Sequence, residues 1–406
     1  MSRPQTPAPS APVPPGYWAL VAEGEPFRLL FPLGAACAIL GALLWPLFIW
    51  NFLSDYPGQS HPRVMVEGFL TCFVAGFAGT ALPRLLGAPV LRLAESLAVA
   101  VALTVVVALH FGGQTLAGDA AYLLTLLGLA GIFGLRILRR TDCPPPSFVL
   151  IGLGFLCALT GVVLLILSGI PAAGLPPRGA LLGRLLLFQG FILLPIMGVG
   201  AFLLPRFFGA ESRQDFPESR SLPPGWMLHA RYALVCGLTI VVSLVLEATG
   251  AVRWGMILRA LGVFAYVARE VPFHRMSPGE GSLTFGLRLA LVSIPVGYAL
   301  MAVWPGRVFS FLHVVFLTGF GLLTLIVGSR VILGHSGQTR HFERTMWSVR
   351  IFTALIFLAM LLRVSADWLP TIRMSHYAYA ALAWIAGVSL WVLTIMPGVC
   401  RSDPDD

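Results

Sequence analysis

Lysine is absent from this 406-residue chain, so all 27 basic residues are arginine; acidic residues number only 18. Charged residues make up 11% of the sequence, less than half of the roughly 25% that soluble domains carry. Such a chain cannot clothe a globular core in a hydrated surface. Cysteine is equally sparse. The six residues (37, 72, 143, 157, 236, 400) are scattered without a C-x-x-C or C-x-x-C-H spacing, which excludes a disulfide scaffold, a zinc ribbon and covalent haem attachment. No G-x-x-x-x-G-K-[ST] loop or Gly-rich strand-to-helix turn occurs, and the longest inner connector, from Pro205 to about Leu228, is too short for a separate catalytic domain. Residues 1–26 are rich in Pro, Ala and Ser and lack an apolar centre behind a basic start. They make a poor signal peptide and are expected to form a disordered cytoplasmic tail.

What is abundant is apolar: 57% of residues are hydrophobic and mean hydropathy is +0.85. Crossing the roughly 30 Å hydrocarbon layer takes about 20 mostly apolar residues per helix. That rule predicts an all-α polytopic membrane protein of twelve transmembrane helices, from 29–50 to 377–397. The eighth, 253–269, is the weakest because it holds Arg253 and Arg259. The membrane domain is expected over 27–398, with a cytoplasmic tail at 399–406. Most arginines fall in the loops of one side, which places both termini in the cytoplasm. The net charge of +9 is thereby read as topology, with membrane lipid and no nucleic acid as partner.

An internal repeat organises these segments. EGFLTCFVAGFAGTALPRLLGA, from Glu67, aligns without a gap on QGFILLPIMGVGAFLLPRFFGA, from Gln189, and HVVFLTGFGLLTLIVGSRVILG, from His313, is a weaker third copy. Segments two, six and ten therefore correspond. The expected architecture is three pseudo-repeats of four helices, approximately 27–146, 147–270 and 271–398, about an axis along the membrane normal. At 1.5 Å per residue, Glu67, Gln189 and His313 each lie roughly 25 Å from Arg84, Arg206 and Arg330 at the other helix ends. Polar groups at such depth seldom face lipid. They line a cavity or cofactor, or they bind neighbouring helices. Arg63, one turn before Glu67, is its nearest ion-pair candidate. The three arginines are interfacial anchors, or hold a propionate or phosphate at the repeated P-R-x-x-G.

Two imidazoles facing one slot suffice for a non-covalent haem in a helix bundle. His61, opening segment two, and His313, one turn inside segment ten, are the best-placed pair near the outer face, with His110 as substitute. His335 sits at the inner end of segment ten, where it is a separate metal ligand or a cap on the helix dipole.

These stretches carry a family resemblance. HPRVMVEGFLTCFVAGFAGTALPRLLG resembles the H-A-H-E-M-x-x-G-F-x-x-x-x-x-A-G-F segment of the NnrS family, bacterial twelve-helix membrane proteins associated with haem, copper and the nitric oxide response. EPFRLLFPLGAACAIL, LLPRFFG and HVVFLTGFGLLTLIVGSRVILGHSGQ are similar to further family segments. The resemblance implies family histidines at His61, His313 and His335. It also implies losses: Arg63 and Val64 stand where the family has its second histidine and glutamate, and Arg288 replaces a histidine of the ninth segment. Haem b, which needs two imidazoles, is thus expected before copper, which needs more. Glu67, Gln189 and Arg63 are expected to surround the cofactor, with a small gaseous or anionic ligand and an electron-transfer partner; no catalytic residue is assigned. A cofactor-free transporter or channel, with Glu67, Gln189 and His313 lining an outer vestibule, is the alternative expectation.

Overall fold

The computed structural model describes residues 16–271, 273–275 and 281–403. A short helix α1 (Tyr17–Ala22) is followed by α2 (Phe27–Ile49), α3 (Ser60–Leu85), α4 (Leu93–Phe111), α5 (Thr115–Leu138), α6 (Pro146–Gly169), α7 (Pro177–Phe207) and α8 (Trp226–Thr249). Then come α9 (Val252–Glu270), α10 (Ser282–Val303), α11 (Pro305–Gly334), α12 (Trp347–Ala366) and α13 (Pro370–Cys400). Among the described residues, eleven of these helices are long and apolar enough to cross a membrane. Helices suit that medium because they satisfy every backbone donor and acceptor internally. The exception among the longer elements is α9, the expected eighth segment. It is helical and packs against α8 and α10, but Arg253, Arg259, Arg269 and Glu270 lower its hydropathy.

Helical structure begins before the expected boundary at residue 27. Residues 1–15 lie outside the described residues, but α1 buries Leu20 and Val21, and Glu25 is buried behind it. At the other end the final turn, Met396–Cys400, is tied back to α2. Arg28 donates to the carbonyls of Val399 and Arg401, both at 2.7 Å, and to that of His335 at 3.0 Å. The last three residues, 404–406, lie outside the described ones. Helix α13 also packs against α2, where the Trp384 indole donates to the Ala38 carbonyl at 3.1 Å.

Three helices differ from the rest in burial. In their most apolar windows α3, α7 and α11 are 72%, 89% and 67% buried, and no other candidate span exceeds the 61% of α2. All three contain a π-helical stretch: Val64–Leu70, Leu186–Gly190 and Val314–Gly321. A π turn inserts a residue and redirects the side chains around it, and it is common at functional sites. In α3 the widened turn is stabilised by Thr71, whose hydroxyl donates to the Val66 carbonyl at 2.8 Å and meets the Tyr122 hydroxyl at 2.9 Å. The neighbouring contacts recur as well. A Cβ placed on Gly68 would lie 3.2 Å from Cys37 Cβ, and one on Gly190 would lie 3.2 Å from Cys157 Cβ. Small residues at these two sites let α2 reach α3, and α6 reach α7, in the same way.

Candidate functional site

Polar side chains gather toward one end of the helices in three groups. In the first, Glu67 projects from the π-helical stretch of α3 and is 0% exposed. His110, one residue from the end of α4, meets it with Nε2 at 2.8 Å from Glu67 Oε2. Arg63, a turn earlier on α3, turns instead to Asp119 of α5: its Nε and Nη2 donate to the two carboxylate oxygens at 2.7 and 2.9 Å. His110 Nε2 is 3.9 Å from Asp119 Oδ1. The ring fits because α5 presents Gly118 beneath it; a Cβ there would lie 2.3 Å from His110 Cε1. Glu67 Oε1 and His110 Nδ1 have no hydrogen-bond partner in this cluster.

The second group is built on α7. Gln189, 4% exposed, accepts at Oε1 from Arg259 Nη1 at 2.6 Å. The same guanidinium donates to Glu247 Oε2 at 2.5 Å and to Ser243 Oγ at 3.1 Å, and lies over the Tyr298 ring. This explains how α9 tolerates a wholly buried arginine: each bond replaces hydration that the hydrocarbon layer cannot give.

The third group contains the two expected haem ligands. His61 Nδ1 is 2.8 Å from the Gly41 carbonyl on α2, and His313 Nδ1 is 2.6 Å from the Phe309 carbonyl on α11. A carbonyl oxygen only accepts, so each Nδ1 carries the proton and each Nε2 presents a lone pair. Neither Nε2 makes a hydrogen bond among the described residues. The rings are within electrostatic range of one another, and both sense the Arg363 charge. Trp45 packs edge-on against His61 and also against Tyr377. Beside them Asp367, in the loop after α12, accepts from Ser310 at 2.7 Å, Tyr377 at 2.7 Å and Arg363 at 2.9 Å. Partial burial pushes the Asp367 carboxyl upward, but the hydrogen bonds from Ser310, Tyr377 and Arg363 outweigh it and hold the group at about 2. It is a carboxylate at any physiological pH.

The remaining expected residues lie elsewhere. His335 is at the opposite end of α11 from His313, where Nδ1 meets Glu25 Oε1 at 2.5 Å and the ring packs on Phe27. Arg28 grips the other oxygen of Glu25. Burial works against ionisation of Glu25, but its bonds to His335 and Arg28 prevail and hold its carboxyl below the usual value. Arg84 donates to the carbonyls of Thr80 and Gly24. Arg206 pairs with Asp215 and covers the Phe202 ring, and Arg330 donates to the Phe207 carbonyl and to Thr284. The structure thus brings His61 and His313 to one region, while His110 and Glu67 form a second one and His335 a distant third.

Sequence reading paired Glu67 with Arg63 and missed Asp119, Glu247, Arg259 as a ligand of Gln189, and the Arg363–Asp367 group. Their signal was present. Asp119 and Glu247 are each a single acidic residue inside an apolar run, and an ionisable group in such a run implies a partner.

Among the described residues, one compact set of three metal-donor side chains occurs, Glu67, His110 and Asp119; no three imidazoles converge. The family model described as "NnrS protein" matches residues 23–402. No curated protein matches the chain.

Proposed function

The chain belongs to the NnrS family, and from that premise we propose that it is a haem-binding protein of the bacterial inner membrane, with haem b held between His61 and His313 near the periplasmic face. The observation that carries this reading is the shared tautomer of those imidazoles. In both, a backbone carbonyl fixes the proton on Nδ1, the arrangement by which ligating histidines are oriented and made more basic at Nε2. The surroundings fit the group. Trp45 and Tyr377 supply aromatic walls, and Arg363, near both rings, is the guanidinium for a propionate. Arg363 gives Nη1 to Asp367 and would turn its other guanidinium nitrogens to the propionate, whereas Arg63 has Nε, Nη1 and Nη2 all engaged by Asp119 and the Gln59 carbonyl. Haem would supply one-electron redox chemistry there, with nitric oxide as the gaseous ligand class. Copper does not enter this proposal, because no third imidazole joins the pair among the described residues.

The topology of the proposal is twelve spans, with α9 as the eighth, and both termini cytoplasmic. Three units of four helices are supported by the π-helical stretches in α3, α7 and α11 and by the matched Gly68–Cys37 and Gly190–Cys157 contacts. The open-vestibule alternative gains no support from Glu67 and Gln189, which are buried and engaged with other side chains. The test is the absorption spectrum of protein purified after expression with ample haem. A Soret band that His61→Ala and His313→Ala remove, and that His335→Ala and His110→Ala leave in place, is the expected result. A colourless wild type would defeat the proposal.

A further inference from the structure

The Glu67 cluster has an unusual charge count. Arg63 and Asp119 neutralise one another through their two-pronged bond. What is left is a carboxyl and an imidazole joined by one hydrogen bond of 2.8 Å, both wholly buried. That bond requires one proton between Glu67 Oε2 and His110 Nε2. With only the proton that a neutral imidazole owns, the cluster carries −1; with one more it is neutral. Neither state satisfies every atom, since Glu67 Oε1 and His110 Nδ1 are bare in both. No protonation state is therefore locked in by hydrogen bonding, and a proton can come and go.

The corresponding group on α7 lacks this freedom. There an uncharged amide, Gln189, replaces the carboxyl, and Arg259 with Glu247 forms a neutral pair. Near His313 the charged pair is Arg363 with Asp367. Of these three groups, the α3 cluster alone has an acid–base pair in excess of its ion pair. The groups that face Glu67 are Arg63 on its own helix, His110 on α4, and Asp119 and Tyr122 on α5; α2 contributes the Cys37 thiol, packed against Gly68. Access is short on one side. His110 is one residue from the end of α4, below the loop at 112–114, and Arg63 donates to the carbonyl of exposed Gln59.

We propose that Glu67 and His110 form a buried one-proton site that takes up a proton from the outer face when an electron enters a haem held by His61 and His313. This rests on the haem reading above. Glu67 follows His61 by six residues on one helix, about 9 Å along the axis. At an effective dielectric of about 20, unit charges roughly 10 Å apart shift one another's equilibria by more than tenfold. Haem held there would take one electron from a one-electron donor, and the Glu67–His110 pair would balance that charge by binding one proton. No bond other than that to the proton is made or broken, and charge is conserved.

The experiment is potentiometric titration of the haem over a range of pH in purified protein. Wild type is expected to show a midpoint that falls as pH rises, most steeply where the pair titrates and by less than the ~59 mV per pH unit of a whole proton per electron, because a shift of little more than tenfold couples only part of a proton. Glu67→Gln, which installs the side chain found at Gln189, is expected to flatten the dependence while the Soret band and melting temperature persist. Glu67→Asp is expected to restore a slope. A pH-independent wild type, or an equal slope in Glu67→Gln, overturns the proposal. If Glu67→Gln fails to fold, His110→Gln takes its place with the same two outcomes. Metal that resists chelation in wild type and is lost in Glu67→Gln also overturns it, by making the cluster a metal site. If no haem binds, the haem reading fails separately, and infrared spectroscopy decides the proton site alone. A protonated-carboxyl or imidazolium band that titrates in wild type and vanishes in Glu67→Gln upholds a buried proton site; absence of both bands rejects it.

Discussion

Replacing Asp119 by Leu isolates the energetic role of the first polar cluster. The carboxylate receives two charge-assisted bonds from Arg63, at 2.7 and 2.9 Å, and both partners are buried. Removing one member of such a pair leaves an uncompensated charge away from water, at a cost of about 3–5 kcal/mol. The remaining contact of Arg63, with the Gln59 carbonyl at 3.1 Å, satisfies one guanidinium proton and not its charge. Glu67 is close enough to share that charge, which places the expected loss toward the lower end. Arg63→Met alone should cost a similar amount, because Asp119 is then bare. The double variant Arg63→Met/Asp119→Leu removes both charges and keeps much of the volume, so its cost should be small, giving a coupling of about 3 kcal/mol. Equilibrium unfolding in mixed micelles, followed by tryptophan fluorescence, measures all four species. Single variants costing under about 1 kcal/mol, or a double variant equal to the sum of the singles, would refute the reasoning.

Other expectations follow from single contacts. Gly118→Ala should destabilise by about 1–3 kcal/mol, since its methyl would overlap the His110 ring and that ring is enclosed; a loss below a few tenths in the same assay contradicts this. The latch of Glu25 with Arg28 and His335 should weaken in acid. Glu25 has a folded-state pKa below its unfolded value, so its contribution is complete above the ordinary carboxyl range and is lost as pH falls through the folded value. Glu25→Gln should therefore be less stable than wild type at pH 7, and the difference should shrink in acid. Asp367 obeys the same sign further down: held at about 2, it keeps its bonds to Ser310, Tyr377 and Arg363 until pH approaches that value. The gap in melting temperature between wild type and Asp367→Asn should therefore persist at pH 4.

Much of the architecture was readable because a lipid-spanning helix is a local property. Twenty apolar residues between arginines make one whatever surrounds them, so α2 to α8 and α10 to α13 appear near their expected places. The Glu67 and Gln189 alignment likewise singled out α3 and α7, which prove to be the two most buried spans. Side-chain pairing was less legible because it depends on helices distant in sequence. Arg63 and Glu67 are one turn apart and look like partners, yet Asp119 arrives from α5 with better geometry and takes the guanidinium. His110 was read as a substitute haem ligand from its depth alone; its rotation about the helix axis, which turns it to Glu67, is set by packing on Gly118. The π turns were not visible either, since no short motif encodes them; the hydroxyl of Thr71 that supports one of them is an ordinary residue in sequence.

The claim on which the functional account turns is that two imidazoles, from α3 and α11, bind one iron. Electron paramagnetic resonance of the oxidised purified protein addresses it directly. The account predicts a low-spin bis-imidazole ferric signal that is lost, or converted to high spin, when either His61 or His313 is replaced by Ala. A haem signal unaffected by both substitutions would contradict it.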